Sequence, residues 1–230
     1  MLRRRAALVA LFVVIAAAHA PAPAHPGYYY LDPRALDLTV LLPPPPDAAS
    51  AQERADEQQV AQAIAQRSPQ QMFEARQASD RSVFFFARSV GPDFSSGRLP
   101  LTAKFFQRIS ADVHKVVNSA KEYWTRPRPD GAVKKRTSYP SGHSAFAAST
   151  AIVLSQLMPE KRDAIFSQAR IFAENRILLG LHYPTDVASG WTAGTLAAYV
   201  MMRDPAFRRD YAKVKAELQR AHLAAPDEGR

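Results

Sequence analysis

Residues 139–150 read YPSGHSAFAAST. Pro140 stops any helix arriving from the N-terminal side, Ser141 is a good N-cap, and Gly142 allows close approach of a ligand. From His143 to Leu157 apolar and small residues recur at helical spacing, so the stretch predicts a buried helix with a titratable ring in its first turn. Backbone N–H groups at such a start have no partner inside the helix, and with the helix dipole they form an anion site. A plain capped helix with a half-buried histidine fits the stretch taken alone equally well.

Outward from it, helical signals dominate. Gln52–Gln66 is rich in Ala, Glu and Gln, with Val60 and Ile64 four residues apart. Ser68 and Pro69 suit an N-cap and first helical residue, opening a helix that would run through Phe73 to about Val90, where Gly91-Pro92 ends it. Leu101 to about Tyr123 carries Phe105, Ile109, Val113, Val116 and Val117 near one face. Glu160–Leu178, Pro184–Met202 and Pro205 to about Leu223 complete the set. No sustained alternation, hairpin turn or internal repeat is present, so an all-α, single-domain helical bundle is expected.

The chain has 230 residues, 47% hydrophobic and 22% charged, enough for one domain with a sizeable core. It has no cysteine, which excludes disulfides, thiolate metal sites and cysteine nucleophiles. Arg3, Arg4 and Arg5 precede an apolar run, Ala6–Ala18, and then small residues. This is the layout of a secretory signal peptide over residues 1–24, with cleavage after Ala24 or Ala20. Loss of residues 1–24 removes three arginines and no acid, lowering the formal charge from +9 to +6. No later segment has the length and apolarity to span a bilayer. A soluble, exported protein is expected, periplasmic in a Gram-negative cell. Residues 25–50 look irregular, with YYYLDP followed by four prolines, Pro43–Pro46; they are either a linker or an arm packed on the body or a partner subunit. The helical domain would cover 51–230.

Three clusters carry chemistry. In KEYWTRPRP, Lys121–Pro129, Lys121 falls near a helix end and Arg126 and Arg128 alternate with prolines that stiffen the backbone and preset guanidinium forks for a phosphate; a solvated basic loop is the plainer reading. The second cluster is the opening stretch. In ENRILLGLHYPTDVASG, Glu174–Gly190, Pro184 suits a first helical turn, so His182 and Asp186 share a face one turn apart. A carboxylate there orients the ring and leaves its other nitrogen as nucleophile or base, although a surface His–Asp pair has the same spacing. Jointly the clusters suit phosphoryl transfer without metal. Lys121, Arg128 and Arg176 would neutralise phosphoryl oxygens, helped by backbone amides near Ser141 and Gly142, and one histidine would attack while the other protonates the leaving alcohol. No cluster has metal-ligand spacing and no glycine-rich nucleotide loop is present, so neither metal nor cofactor nor nucleic-acid partner is expected.

Lys121-x6-Arg128-Pro129, Pro140-Ser141-Gly142-His143 and Arg176-x5-His182-x3-Asp186 resemble the three-part signature of the phosphatidic acid phosphatase type 2 superfamily, which also includes vanadium haloperoxidases. Within it the chain looks most like the bacterial class A non-specific acid phosphatases. The signature spans about residues 121–186. The resemblance implies a helical bundle of the acid phosphatase/vanadium haloperoxidase type that hydrolyses phosphomonoesters through a phosphohistidine, with phosphotransfer as a side activity. It implies His182 as nucleophile, Asp186 as its orienting partner and His143 as general acid. Lys121, Arg128, Arg176, Ser141 and Gly142 would bind phosphate. Asn175 stands where the family usually has serine, offering an amide in place of a hydroxyl. Relatives suggest a homo-oligomer. A lipid phosphate or pyrophosphate phosphatase and a vanadate-dependent haloperoxidase are the alternative enzymes. A basic polyanion-binding exported protein is the non-enzymatic one, and it leaves the ordered His143, His182 and Asp186 unexplained.

Overall fold

The structure is a computed structural model that describes residues 27–129 and 137–225; the signal peptide expected at 1–24 lies outside them. All regular structure among the described residues is helical: α1 (Leu38–Leu41), α2 (Ala51–Gln66), α3 (Pro69–Gln77), α4 (Ala87–Val90), α5 (Pro100–Tyr123), α6 (Gly142–Leu157), α7 (Arg162–Leu178), α8 (Pro184–Met201) and α9 (Pro205–Arg220). Short 3-10 turns occur at Pro33–Ala35, Val83–Phe86 and Pro159–Lys161.

The centre of the molecule is α6. Its residues are buried almost all the way round, as expected of a helix that is apolar on every face. Helices α5, α7 and α8 pack around it, α9 lies against α5, and α2, α3 and α4 lie against α7. The approach of α8 is the tightest. A Cβ on Gly190 would collide with the Ser141 carbonyl, and one on Gly194 with the Ala145 carbonyl. Ala145, Ala147, Ala148 and Ser149 are all buried, so small side chains on both helices allow near backbone-to-backbone contact.

The helix expected from Pro69 to Val90 is broken. Its start is as read: Ser68 and Gln71 form a reciprocal capping box. The helix closes at Gln77, and the chain then turns through Ser79–Ser82. Ser82 Oγ accepts the Phe84 N–H at 3.2 Å and caps the following 3-10 turn. Short polar side chains here offer the backbone a partner that competes with the helix. The break leaves the Ser79 carbonyl outside any helix, available to a side chain from elsewhere.

Residues 27–43 form a packed arm rather than a linker. Tyr30, Leu31, Leu36, Leu38 and Leu42 join the core. The Asp112 carboxylate on α5 accepts the N–H groups of Tyr29, Tyr30 and Leu31, the Tyr30 bond at 2.7 Å. Tyr30 Oη donates to Asp210 of α9 at 2.7 Å. Farther along, the Tyr139 hydroxyl donates to the Pro43 carbonyl.

Candidate active site

Gly180 adopts φ +70° and turns the chain at the end of α7, a conformation costly for a residue with a Cβ. The Arg176 carbonyl accepts the N–H of Leu181 at 3.0 Å and of His182 at 3.3 Å, which fixes His182 between α7 and α8. Its ring is 2% exposed. Nδ1 lies 3.4 Å from Asp186 Oδ2, and Arg128 Nη1 approaches Nε2 at 3.3 Å. A guanidinium only donates, so Nε2 is the lone-pair nitrogen and Nδ1 carries the proton toward Asp186.

Asp186 is held from three sides. Its Oδ2 accepts the Tyr183 N–H at 2.9 Å, and its Oδ1 accepts from Arg126 at 2.7 Å. Arg126 also donates to Asp56 at 2.7 Å, to Glu53, and to Thr185 at 2.7 Å, while its guanidinium stacks 4.0 Å above the Tyr183 ring. Burial pushes the Asp186 carboxyl up, but His182, Arg126 and the Tyr183 N–H together hold it below its ordinary value.

On the open side, a cleft of about 690 Å³ is lined by Lys121, Arg128, Gly142, His143, His182 and Arg81, among others. Lys121 Nζ donates to the carbonyls of Thr137 and Ser138, each at 2.9 Å, leaving the third of its N–H groups. Burial foremost, then the neighbouring Arg128, lowers its pKa to about 7. Arg176 is buried, and its Nε and Nη1 have no hydrogen-bond partner among the described residues. Burial and the nearby Arg128 and Arg81 lower its pKa to about 10. Burial drives His182 down to about 4, against the pull of Asp186. His143 falls to about 3, through burial first and the Arg176 charge next. Its ring stacks on Phe172 and its Nε2 meets the Ser79 carbonyl at 2.9 Å; a carbonyl only accepts, so Nε2 bears the proton. These shifts share one physical origin: several positive groups are gathered, partly dehydrated, around a space shaped for an anion.

Of the residues read from sequence, Lys121, Arg128, Gly142, His143 and His182 face one cleft. Asp186, Ser141, Asn175 and Arg176 are buried. Ser141 is committed elsewhere: its N–H donates to the Asp186 carbonyl at 2.9 Å and its Oγ accepts the Ser144 N–H at 3.3 Å. Its part is to cap α6 and tie it to α8, so it is Gly142, at the first helical position, that presents an amide. Arg126, read with Arg128 as a phosphate fork, is turned inward onto carboxylates. Arg81, Ser79, Asp56 and Glu53 escaped sequence reasoning. No spacing marks them, though the cluster Ser79-Asp80-Arg81-Ser82 was a legible turn signal. Among the described residues no group of His, Asp or Glu side chains is arranged to hold a metal ion, and no helix is long and apolar enough to cross a membrane.

The sequence pattern of the PAP2 superfamily matches residues 105–210, from α5 into α9, and takes in every residue lining the cleft but Arg81. The chain carries a PAP2 superfamily domain. Its curated relatives include an acid phosphatase of Zymomonas mobilis, 28% identical over 62% of this chain and 60% of that protein. Non-specific acid phosphatases of Salmonella typhi and Providencia stuartii are 30% and 26% identical, over 58% and 83% of this chain and 59% and 84% of theirs. The alignment thus spans about six-tenths of the length of the first two relatives. A crystal structure of a transmembrane PAP2-type phosphatidylglycerolphosphate phosphatase from Bacillus subtilis superposes with a TM-score of 0.51 at 20% identity, covering 72% of this chain and 89% of that one. At that identity the likeness shows the fold: an all-α PAP2 bundle.

Proposed function

We propose that the protein is an exported, metal-independent acid phosphatase that hydrolyses small phosphomonoesters through a phosphohistidine. The observation that carries this reading is the His182 ring: Nδ1 on a buried carboxylate, and Nε2 beside Arg128 at the floor of a cationic cleft. In this reading Lys121, Arg128 and Arg176 grip the phosphoryl oxygens and the Gly142 amide adds a helix-terminal donor. His182 Nε2 attacks phosphorus as the P–O bond to the alcohol breaks, and His143 gives that oxygen a proton. Asp186 stabilises the positive charge on the phosphorylated ring. Water then attacks phosphorus, its proton goes to His143, and His182 leaves with its lone pair restored.

The cleft itself holds His143 neutral, through burial first and then the neighbouring Arg176 charge. An arriving phosphate brings opposite charge to the same ring and raises its pKa, so the substrate itself charges the acid. His182, with its lower limit near 4, stays a free nucleophile in moderately acidic solution. An acid optimum follows from these two demands.

The test uses p-nitrophenyl phosphate at about pH 6 with EDTA present, comparing the native protein with His182→Ala. Nitrophenol release by the native protein and its loss in the folded variant support the reading. Acid-labile, base-stable label on the native protein after a quenched reaction with phosphorus-labelled ester identifies the phosphoimidazole. Folded native protein that releases no nitrophenol overturns the monoesterase reading and turns attention to lipid phosphates and pyrophosphates. Export and self-association, the remaining parts of the proposal, are checked by N-terminal sequencing of the secreted form and by light scattering.

A further inference from the structure

Beside the anion cleft lies a second cavity of about 490 Å³, between the segment after α3 and the outer face of α5. The two spaces share Arg81 and His114, whose contact at 2.9 Å forms the partition between them. Their characters differ. The cleft is ringed by cations; the second cavity is mixed, with Phe84, Ala103 and Ala111 giving it an apolar side and neutral polar groups such as Ser96, Gln107 and Ser110 completing the lining. Val83 and Phe106 are buried and belong to the core, and the half-buried Phe84 packs against it, so the accessible aromatic face is a fixed one.

The direction of the reaction points to this space. In an in-line displacement the nucleophile and the leaving oxygen lie on opposite sides of phosphorus. If His182 attacks, the alcohol leaves toward His143. His143 is pinned to the Ser79 carbonyl, two residues before Arg81. Arg81 Nη1 would lie 3.8 Å from a Cβ on Gly142, so its guanidinium stands at the start of α6. The alcohol therefore leaves toward the segment 79–84, where the second cavity opens.

We propose that this cavity is a leaving-group subsite, built for the aromatic alcohol portion of a phosphomonoester, with Arg81 at the junction between phosphate and ring. The inference rests on the phosphatase reading above and deepens it. Aryl monoesters gain contact with Phe84 and with Ala103 and Ala111, whereas esters of small polar alcohols leave the cavity to water.

The test is binding without turnover. Calorimetry compares methylphosphonate with 1-naphthylmethylphosphonate on the native protein and on Ala103→Leu, Ala111→Leu and Phe84→Ala, each checked for native helicity and melting. The aryl ligand binds at least tenfold more tightly to the native protein. At least two of the three substitutions remove fivefold or more of that preference, with methylphosphonate affinity unchanged. Equal affinity of the two ligands, or a preference that survives in every folded variant, overturns the subsite while leaving the phosphate site standing. Failure of both phosphonates to bind overturns the phosphate-site reading and the subsite with it.

Discussion

Asp186 stays ionised although it is wholly enclosed, and Arg126 is the residue that makes this possible. The guanidinium answers three carboxylates at once, those of Asp186, Asp56 and Glu53. Arg126→Lys keeps the charge but loses the fork that spans Asp186 and Asp56. We expect a folded protein whose kcat falls by about tenfold or more while KM changes little, because His182 is no longer held square to its carboxylate. Arg126→Met leaves the carboxylates uncompensated and is expected to lower stability by about 3–5 kcal/mol in denaturant unfolding. Lys121 sets a second expectation. With its pKa lowered to about 7, it is a cation below that pH and neutral above it. Competitive inhibition by sulfate, whose own charge is constant there, weakens as pH rises past 7, by up to about tenfold per unit. Lys121→Arg, permanently charged, loses most of that dependence. The residues that meet at the cleft were legible because each sits in a local pattern: a helix start, an i,i+4 pair, an arginine between prolines. Arg126 shared the same pattern as Arg128 and was misread, since its partners lie 70 and 73 residues away and no local spacing points to them.

At the scale of elements, the site depends on α6 and α8 meeting at Gly190 and Gly194. His143 lies in the first turn of α6 and His182 two residues before α8, so the contact sets how far apart the two rings lie. Gly194→Ala is expected to destabilise the protein by about 1–3 kcal/mol through overpacking, and to depress kcat beyond what the stability loss explains. Gly97→Ala, where a Cβ meets nothing within 4 Å, should leave both unchanged; unfolding curves and steady-state rates check the pair. Helix existence and most helix starts were readable because Ser68, Ser141, Pro69, Pro184 and Pro205 announce themselves chemically. The break after Gln77 was missed because the apolar run Val83–Phe86 keeps enough periodicity to look continuous. Its three phenylalanines in fact take different roles: Phe86 fully buried, Phe85 against Phe172, Phe84 against Phe94. Tertiary packing chose the turn over the helix.

For the molecule as a whole, the cleft couples stability to pH. His143 and His182 titrate near 6.5 when unfolded and at about 3 and about 4 when folded and ligand-free. The unfolded chain binds more protons between those values, so stability falls as the solution is acidified from 6.5. Lys121, lowered from 10.5 to about 7, adds stability as pH climbs between those two values, by the same sign rule. The melting temperature of the ligand-free protein should therefore rise from about pH 5 to pH 9. Saturating phosphate should flatten that slope and stabilise most at the acid end, because it favours the protonated rings; calorimetric scans with and without phosphate decide this. That residues 27–43 pack on the body was not decidable from composition, which left linker and arm equally open. Three N–H groups converging on Asp112 are a tertiary fact. They also impose an order on how the chain is completed. Tyr30 finds Asp112 82 residues later and Asp210 180 residues later, so closing those loops must wait for α5 and finally for α9. A ribosome delivers the arm well before either partner. During synthesis the arm is unsatisfied until then, and its docking is a late, seal-like step that reports the arrival of α9.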